Sequence, residues 1–300
     1  MASTFTNLST AQVDNMIVEA IRTILPALDM FSIRVDTEPA IVNTVKRVAL
    51  STDPTLATKT PGTFATATGD VTGVDVTLNT FNAAAWDATE GLISASMLPT
   101  YWADKIAGGV YVVAKSIIDA ALALVTAGNY GNTAADKLVI SVADFGASDV
   151  ATLRTLAAKK IKGRVKSMML NSDYAGAIMG EASILSVFGQ TGENLLKSGS
   201  LPQLGGMTSM EYTDLPTNSE NLGGVIFGKA AIAAAVAPFD ILNNSGEGNI
   251  LERRLITEPD TGLTLVYTVK VDAGGTRSGE IAALFGVAKG QDAVVRLVTA

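Results

Sequence analysis

Three stretches of this 300-residue chain are spelled like chemistry. Asp144-Phe145-Gly146 is the triplet with which protein kinases hold a metal ion. Such an enzyme also needs a His-Arg-Asp loop and a glycine-rich strand pair, and this chain contains no histidine. Gly223 to Lys229, with Ala230 behind it, comes close to a phosphate-binding loop. The position that must offer a hydroxyl to Mg²⁺ is Ala230, and Val225-Ile226-Phe227 reads as a strand rather than a phosphate cradle. The third stretch is the basic cluster Lys159, Lys160, Lys162, Arg164 and Lys166. It could neutralise phosphates. It also reads as the end of a helix, SDVATLRTLAAKKIKG, capped by Ser148 and stopped at Gly163. Lysines there suit the negative end of the helix dipole.

The rest of the chemical inventory is exclusion. With neither cysteine nor histidine, the chain has no thiol nucleophile, disulfide, thiolate or imidazole metal site, or Ser–His triad. Carboxylates, lysine and tyrosine remain, but the acidic residues show no metal-loop spacing. No residue is therefore assigned a catalytic, cofactor-binding or metal-binding role, and the chain is read as a non-enzyme without cofactors. A soluble α/β enzyme using carboxylates or lysine stands as the contrary reading. It would need a deep pocket lined by perturbed carboxylates.

Composition points elsewhere. The chain is 48% hydrophobic and 17% charged, against about 25% charged in ordinary soluble domains. Its plainest outlet for that surplus apolar surface is contact with other copies of itself. A net charge of −7 argues against a general polyanion binder. MASTFTNLSTAQVDNM has no basic region followed by an apolar core, so it does not read as a signal peptide.

The elements that would position any site follow from periodicity. Residues 104–132 hold the most apolar run, with Ile106, Val110, Val113, Ile117, Ala121 and Leu124 in one stripe. Tyr111, Ala114, Ile118, Leu122 and Val125 form a second, and Gly128 and Gly131 supply a stop. Lys115 and Asp119, four apart, can pair along its polar edge and would be costly at mid-bilayer. The reading is a long spine helix packed on both faces, not a membrane span.

Residues 9–25 read as an amphipathic helix, opened by Ser9 and Gln12 and followed by Pro26. Residues 41–50 and 71–81 read as strands of a long hairpin reaching away from the body. The Thr-rich segment between them has no helical period. KLVISVADF reads as a strand, RVKSMMLNSDYAGAIM as a strand running into a helix, and GGVIFGKAAIAAAVAP as a strand and a small-residue segment. Strands flank the turns at 258–262 and 289–291.

This order of parts resembles the major capsid protein of tailed bacteriophages, the Hong Kong 97 phage type of fold. The more telling pieces are RVKSMMLNSDYAGAIM and the C-terminal stretch ITEPDTGLTLVYTVKVDAGGTRSGEIAALFGVAKGQDAVVRLV. The resemblance implies an α+β fold: N-terminal arm 1–40, extended loop 41–82, peripheral domain 83–137 with return strands 241–300, and axial domain 138–240. It implies a structural subunit of an icosahedral shell around double-stranded DNA, assembled in the host cytoplasm and located in the virion. Its partners would be itself in pentamers and hexamers, a portal, a separate scaffolding protein, and packaged DNA by weak non-specific contact, with no membrane. An encapsulin-type compartment shell is the alternative within this fold. Some members cross-link a loop lysine to an asparagine. Lys59 could be that lysine, but residues 250–300 contain no asparagine, so no cross-link is expected.

Overall fold

The computed structural model describes residues 10–36, 38–50, 61–62, 72–88, 97–161, 166–180, 201, 203–239, 249–259, 262–271 and 275–300. Helix α1 spans Thr10–Leu28 and α2 spans Leu98–Ala123. Val13, Ile17 and Ile21, spaced four apart, bury against the core as α1 packs on α2. Each such side chain contributes about 1.5–3 kcal/mol when fully buried. Pro26 lies inside the last turn of α1 rather than beyond its end. Only the amide bond it cannot make is lost, and the helix stops two residues later.

The spine helix is observed, shifted towards the N-terminus. It begins at Leu98, with Pro99 in its first turn, and ends at Ala123. A short helix α3, Ala127–Tyr130, follows after Thr126 caps it by accepting from the Asn129 amide. Ile106, Val110, Val113, Ala114, Ile117, Ile118, Ala121 and Leu122 are buried, while Tyr111 and Val112 face solvent. Among the described residues α2 is the one helix long and apolar enough to cross a membrane, and half of its apolar window is buried within the protein.

Two sheets lie beyond the helices. The first orders its strands β1 (Ser32–Val35), β9 (Ile232–Ala237), β12 (Arg277–Lys289), β11 (Thr264–Val271) and β10 (Asn249–Thr257), with β4 (Thr80–Ala88) also paired to β12. Trp86 of β4 meets Trp102 of α2 edge-on at 5.7 Å, which seats the spine on this sheet. The second sheet orders β5 (Lys137–Val139), β13 (Val294–Val298), β8 (Leu222–Gly228), β6 (Lys166–Leu170) and β7 (Thr208–Glu211). Helix α4 (Ala147–Lys160) packs on β13 and β8 through Val150, Leu153 and Ala157.

The sheets share one antiparallel ribbon. Strand β8 of the second runs on into β9 of the first, and β12 of the first runs back into β13 of the second. The two crossings lie side by side, with Gly290 donating to the Ala231 carbonyl and Gln291 to that of Ala230, each at 2.8 Å. A hairpin of β2 (Thr44–Leu50) and β3 (Thr72–Leu78) pairs from Thr44↔Leu78 to Leu50↔Thr72. Its stem packs back on the body, with Val48, Leu50, Val76 and Leu78 against Ala233, Ala235, Ala237 and Leu284. Alternate small residues on β9 let it come close. A side chain at Gly286 would stand 2.0 Å from the Thr77 carbonyl oxygen.

Three readings of local structure change. Segment 137–145 is a three-residue strand followed by a 3-10 turn at Val142–Asp144, because Ile140 turns to bond Val298 beyond the ladder. Helix α4 starts before Ser148: its N-cap is Gly146, whose amide donates back to the Asp149 carboxylate at 3.0 Å. The strand read over 71–81 breaks at Asn79, and Thr80 and Phe81 begin a separate strand, β4, that continues through 82–88, which had no assignment from sequence.

Candidate functional site

The kinase-like triplet does structural work. Asp144 accepts from the Ser141 hydroxyl at 2.7 Å. Phe145 is buried edge-on against Tyr174 at 5.0 Å. The phosphate-loop look-alike is β8, buried along its whole length. Its glycines make room rather than cradle anions, since a Cβ at Gly223 would sit 2.3 Å from the Tyr174 ring. Helix α5 (Ser172–Gly180) opens as the Asn-x-Asp-Tyr spelling predicts, with Asn171 accepting from the Tyr174 amide at 3.0 Å.

Two polar clusters hold the parts in place. Lys115 meets Asp119 at 2.7 Å, the pairing expected from spacing four, and Asp214 at 3.3 Å. Asp119 also accepts from the Tyr212 hydroxyl at 2.5 Å. The Asp119 carboxylate holds the Lys115 ammonium above its ordinary range, and burial followed by Asp119 pushes the Tyr212 phenol up. This staple joins the spine to the loop after β7.

The second cluster lies where the chain crosses between sheets. Lys160 donates to Asp136 at 2.6 Å and to the Tyr130 carbonyl at 2.7 Å, and it reaches Asp292 at 3.0 Å. Its hydrogen bond to Asp136, with help from Thr133, lowers that carboxyl to about 2. Fully buried Arg296 bonds Glu220 and the Gly131 carbonyl. Tyr130 donates to the Ala231 carbonyl at 2.8 Å, and burial raises its phenol. These bonds offset much of the cost of taking the charges out of water, although the buried Nε of Arg296 has no hydrogen-bond partner among the described residues. They lock α3 and α4 against the ribbon.

The basic cluster is thus divided. Lys160 is consumed internally. Lys159 and Lys166 line an open cleft with Arg154, Thr155, Gly205 and Gly206. Lys162 and Arg164 lie outside the described residues, as does Lys59. Among the described residues no group of acidic side chains is arranged to hold a metal ion.

Exposed apolar side chains gather elsewhere. Ile41, Val42, Val45 and Phe81 occupy the base of the β2–β3 hairpin, with Phe81 stacked on Phe239 at 4.5 Å. Tyr111 and Val112 sit on the outer face of α2, and Leu251 and Leu255 on edge strand β10. Periodicity had placed Tyr111 in a packed stripe. It belongs instead to this surface set, which only solvent accessibility reveals.

No protein-family model matches the chain, and no curated protein matches it. Solved structures do. A chain of the mature capsid of bacteriophage PhiM1 aligns at TM-score 0.50 and 11% identity, over 91% of this chain and 86% of that one. The capsid of Ralstonia phage GP4 aligns at 0.50 and 12% identity, over 90% and 87%. The head of Helicobacter pylori bacteriophage KHP40 aligns at 0.51 and 12% identity, over 90% and 87%. The chain has the phage capsid-protein fold. The correspondence takes in nearly the whole of both chains. At such identities the backbone arrangement is what is shared.

Proposed function

We propose that this chain is the major capsid subunit of a tailed phage, of the Hong Kong 97 type. Many copies, grouped as pentamers and hexamers, build an icosahedral shell around double-stranded DNA. The role is structural, not enzymatic. Residues 1–40 serve as the N-terminal arm, 41–82 as the extended loop, 83–137 with 241–300 as the peripheral domain, and 138–240 as the axial domain. Strand β9, before the border at 240/241, pairs in the sheet of β10, β11 and β12, and β13, after it, pairs in the sheet of β5, β6, β7 and β8. Assembly takes place in the host cytoplasm with a portal and a separate scaffolding protein, and the finished subunit resides in the virion. No lysine–asparagine cross-link forms.

The observation that carries this reading is the alignment with three phage capsid structures over about nine-tenths of this chain. The low charge content and the exposed apolar side chains at the hairpin base, on α2 and on β10 support it. Surfaces of that kind suit heterologous contacts, in which different patches meet and close into rings. Electron microscopy of the purified chain, alone and with lysate of its source, tests the proposal. Closed, hollow, uniform shells support it, and nucleic-acid contents separate a phage head from a cargo compartment. Small discrete oligomers under every condition would overturn it.

A further inference from the structure

We propose that the cleft between the C-terminal half of α4, the start of β6 and the Leu204–Met207 turn binds the phosphodiester backbone of nucleic acid. The proposal deepens the shell reading and rests on it for the choice of double-stranded DNA. In a chain of net charge −7, residues 150–166 carry Arg154, Lys159, Lys160, Lys162, Arg164 and Lys166 and no acidic residue. The fold then sorts these cations. Lys160 turns inward to Asp136 and Asp292. Arg154 and Lys159, with Lys166 beside them, line a cleft of about 490 Å³, and no carboxylate is among its described lining residues. Among the described residues Arg154 and Lys159 make no ion pair, so their charge remains available. A helix-dipole role accounts for lysines in the last turn of α4, but not for Arg154, which lies well before it.

The far wall is glycine. Gly205 and Gly206 have φ +57° and +75°, and a Cβ at Gly205 would stand 3.1 Å from Cδ of Arg154. The bare turn leaves the guanidinium room and lets a ligand approach backbone. The Arg154 guanidinium beside the Lys159 ammonium is a donor set that phosphate oxygens favour. Among the described lining residues no aromatic side chain is placed for an unpaired base to stack on, which favours the backbone of a duplex over a single strand. Contacts to the phosphate backbone carry no sequence information, so binding is independent of sequence.

The test is fluorescence anisotropy of a mixed-sequence DNA duplex with the purified full chain, titrated across salt concentration. R154A/K159A removes two exposed cations without touching the core. We expect affinity at low salt to fall roughly tenfold, and the slope of log K against log salt to flatten by about 2. The control K105A/K229A removes two exposed lysines elsewhere and leaves both unchanged. Equal losses in both double variants would overturn the proposal, as would a wild-type chain that binds duplex no better than R154A/K159A. Competition by inorganic phosphate as strong as by duplex would also overturn it, by reassigning the cleft to a small anion. Retained duplex binding with lost particle formation would instead give the cleft to a carboxylate of a second copy. Microscopy of the same samples keeps the two readings apart. Shells without cleft-dependent binding refute the cleft alone, and cleft-dependent binding without shells refutes the shell alone.

Discussion

Replacing Asp136 by asparagine tests the joint between the sheets. Asp136 accepts from Lys160 at 2.6 Å, from the Thr133 hydroxyl at 2.7 Å and from the Thr133 amide at 2.9 Å. Those bonds favour the charged form and hold the carboxyl at about 2, against the usual 3.8. A gap of that size corresponds to roughly 2 kcal/mol of folding free energy. Both partners are mostly buried, with 11% and 13% of their side-chain surface exposed, so solvent screening removes little of it. The folded-state pKa is depressed, so the contribution is complete above pH 4 and is lost as pH falls from about 4 towards 2. D136N keeps the shape and removes the charge. Urea titrations, followed by the fluorescence of buried Trp86 and Trp102, should place it roughly 2 kcal/mol below wild type at pH 7. The two should converge by about pH 2. A difference under about 0.5 kcal/mol at pH 7 would refute the reasoning, and so would one of the same size at pH 2.

Tyr267→Phe takes away the acceptor of the buried Trp102 indole N–H, at 2.7 Å, and should cost about 1–3 kcal/mol. Burial pushes the Tyr267 phenol up to about 12, so its contribution is complete below pH 10 and is lost towards pH 12. An absorbance titration at alkaline pH should lose the step near pH 12 in this variant. Gly286→Ala drives a methyl into the Thr77 carbonyl and should cost about 1–3 kcal/mol. Hydrogen exchange should rise in β2 and β3, and unchanged protection there would contradict the docking of the stem. Ile41→Ser with Val45→Ser, at two side chains each 56% exposed, should leave free-chain stability within about 0.5 kcal/mol per site. Particle yield by sedimentation should drop, and an undiminished yield would remove the hairpin base from the contact surface.

The parts that were legible from sequence are those written in local pattern. The double stripe of α2, the alternation of Val74, Val76 and Leu78, the Asn171 cap and the turn at 258–262 each depend on neighbours within a few residues. What sequence hid depends on distant partners. Strand β4 is built on Ala83, Ala84 and Ala85, whose own propensity favours helix over strand, and it exists because β12 pairs with it from Arg277↔Ala88 to Phe285↔Thr80. Nothing near Gly290 says that β12 and β13 part into different sheets. Lys159 and Lys166 stood out in the basic run, but Arg154 and the Gly205–Gly206 turn joined them only when the chain folded. Tyr111 fits a stripe by count and misses it by angle, because the buried band drifts around the helix axis.

The shared ribbon has a mechanical consequence. Sheets that merely touch separate by peeling, one side-chain contact after another. Here β8–β9 and β12–β13 carry two covalent backbones across the gap in opposite directions, bonded to each other at Ala230 and Ala231. Tension between the two halves therefore runs along peptide bonds. A single strap would let one half swivel against the other, but two parallel straps resist that and leave bending across the ribbon as the easy motion. Internal pressure on a wall made of such subunits would meet a continuous tie rather than a seam.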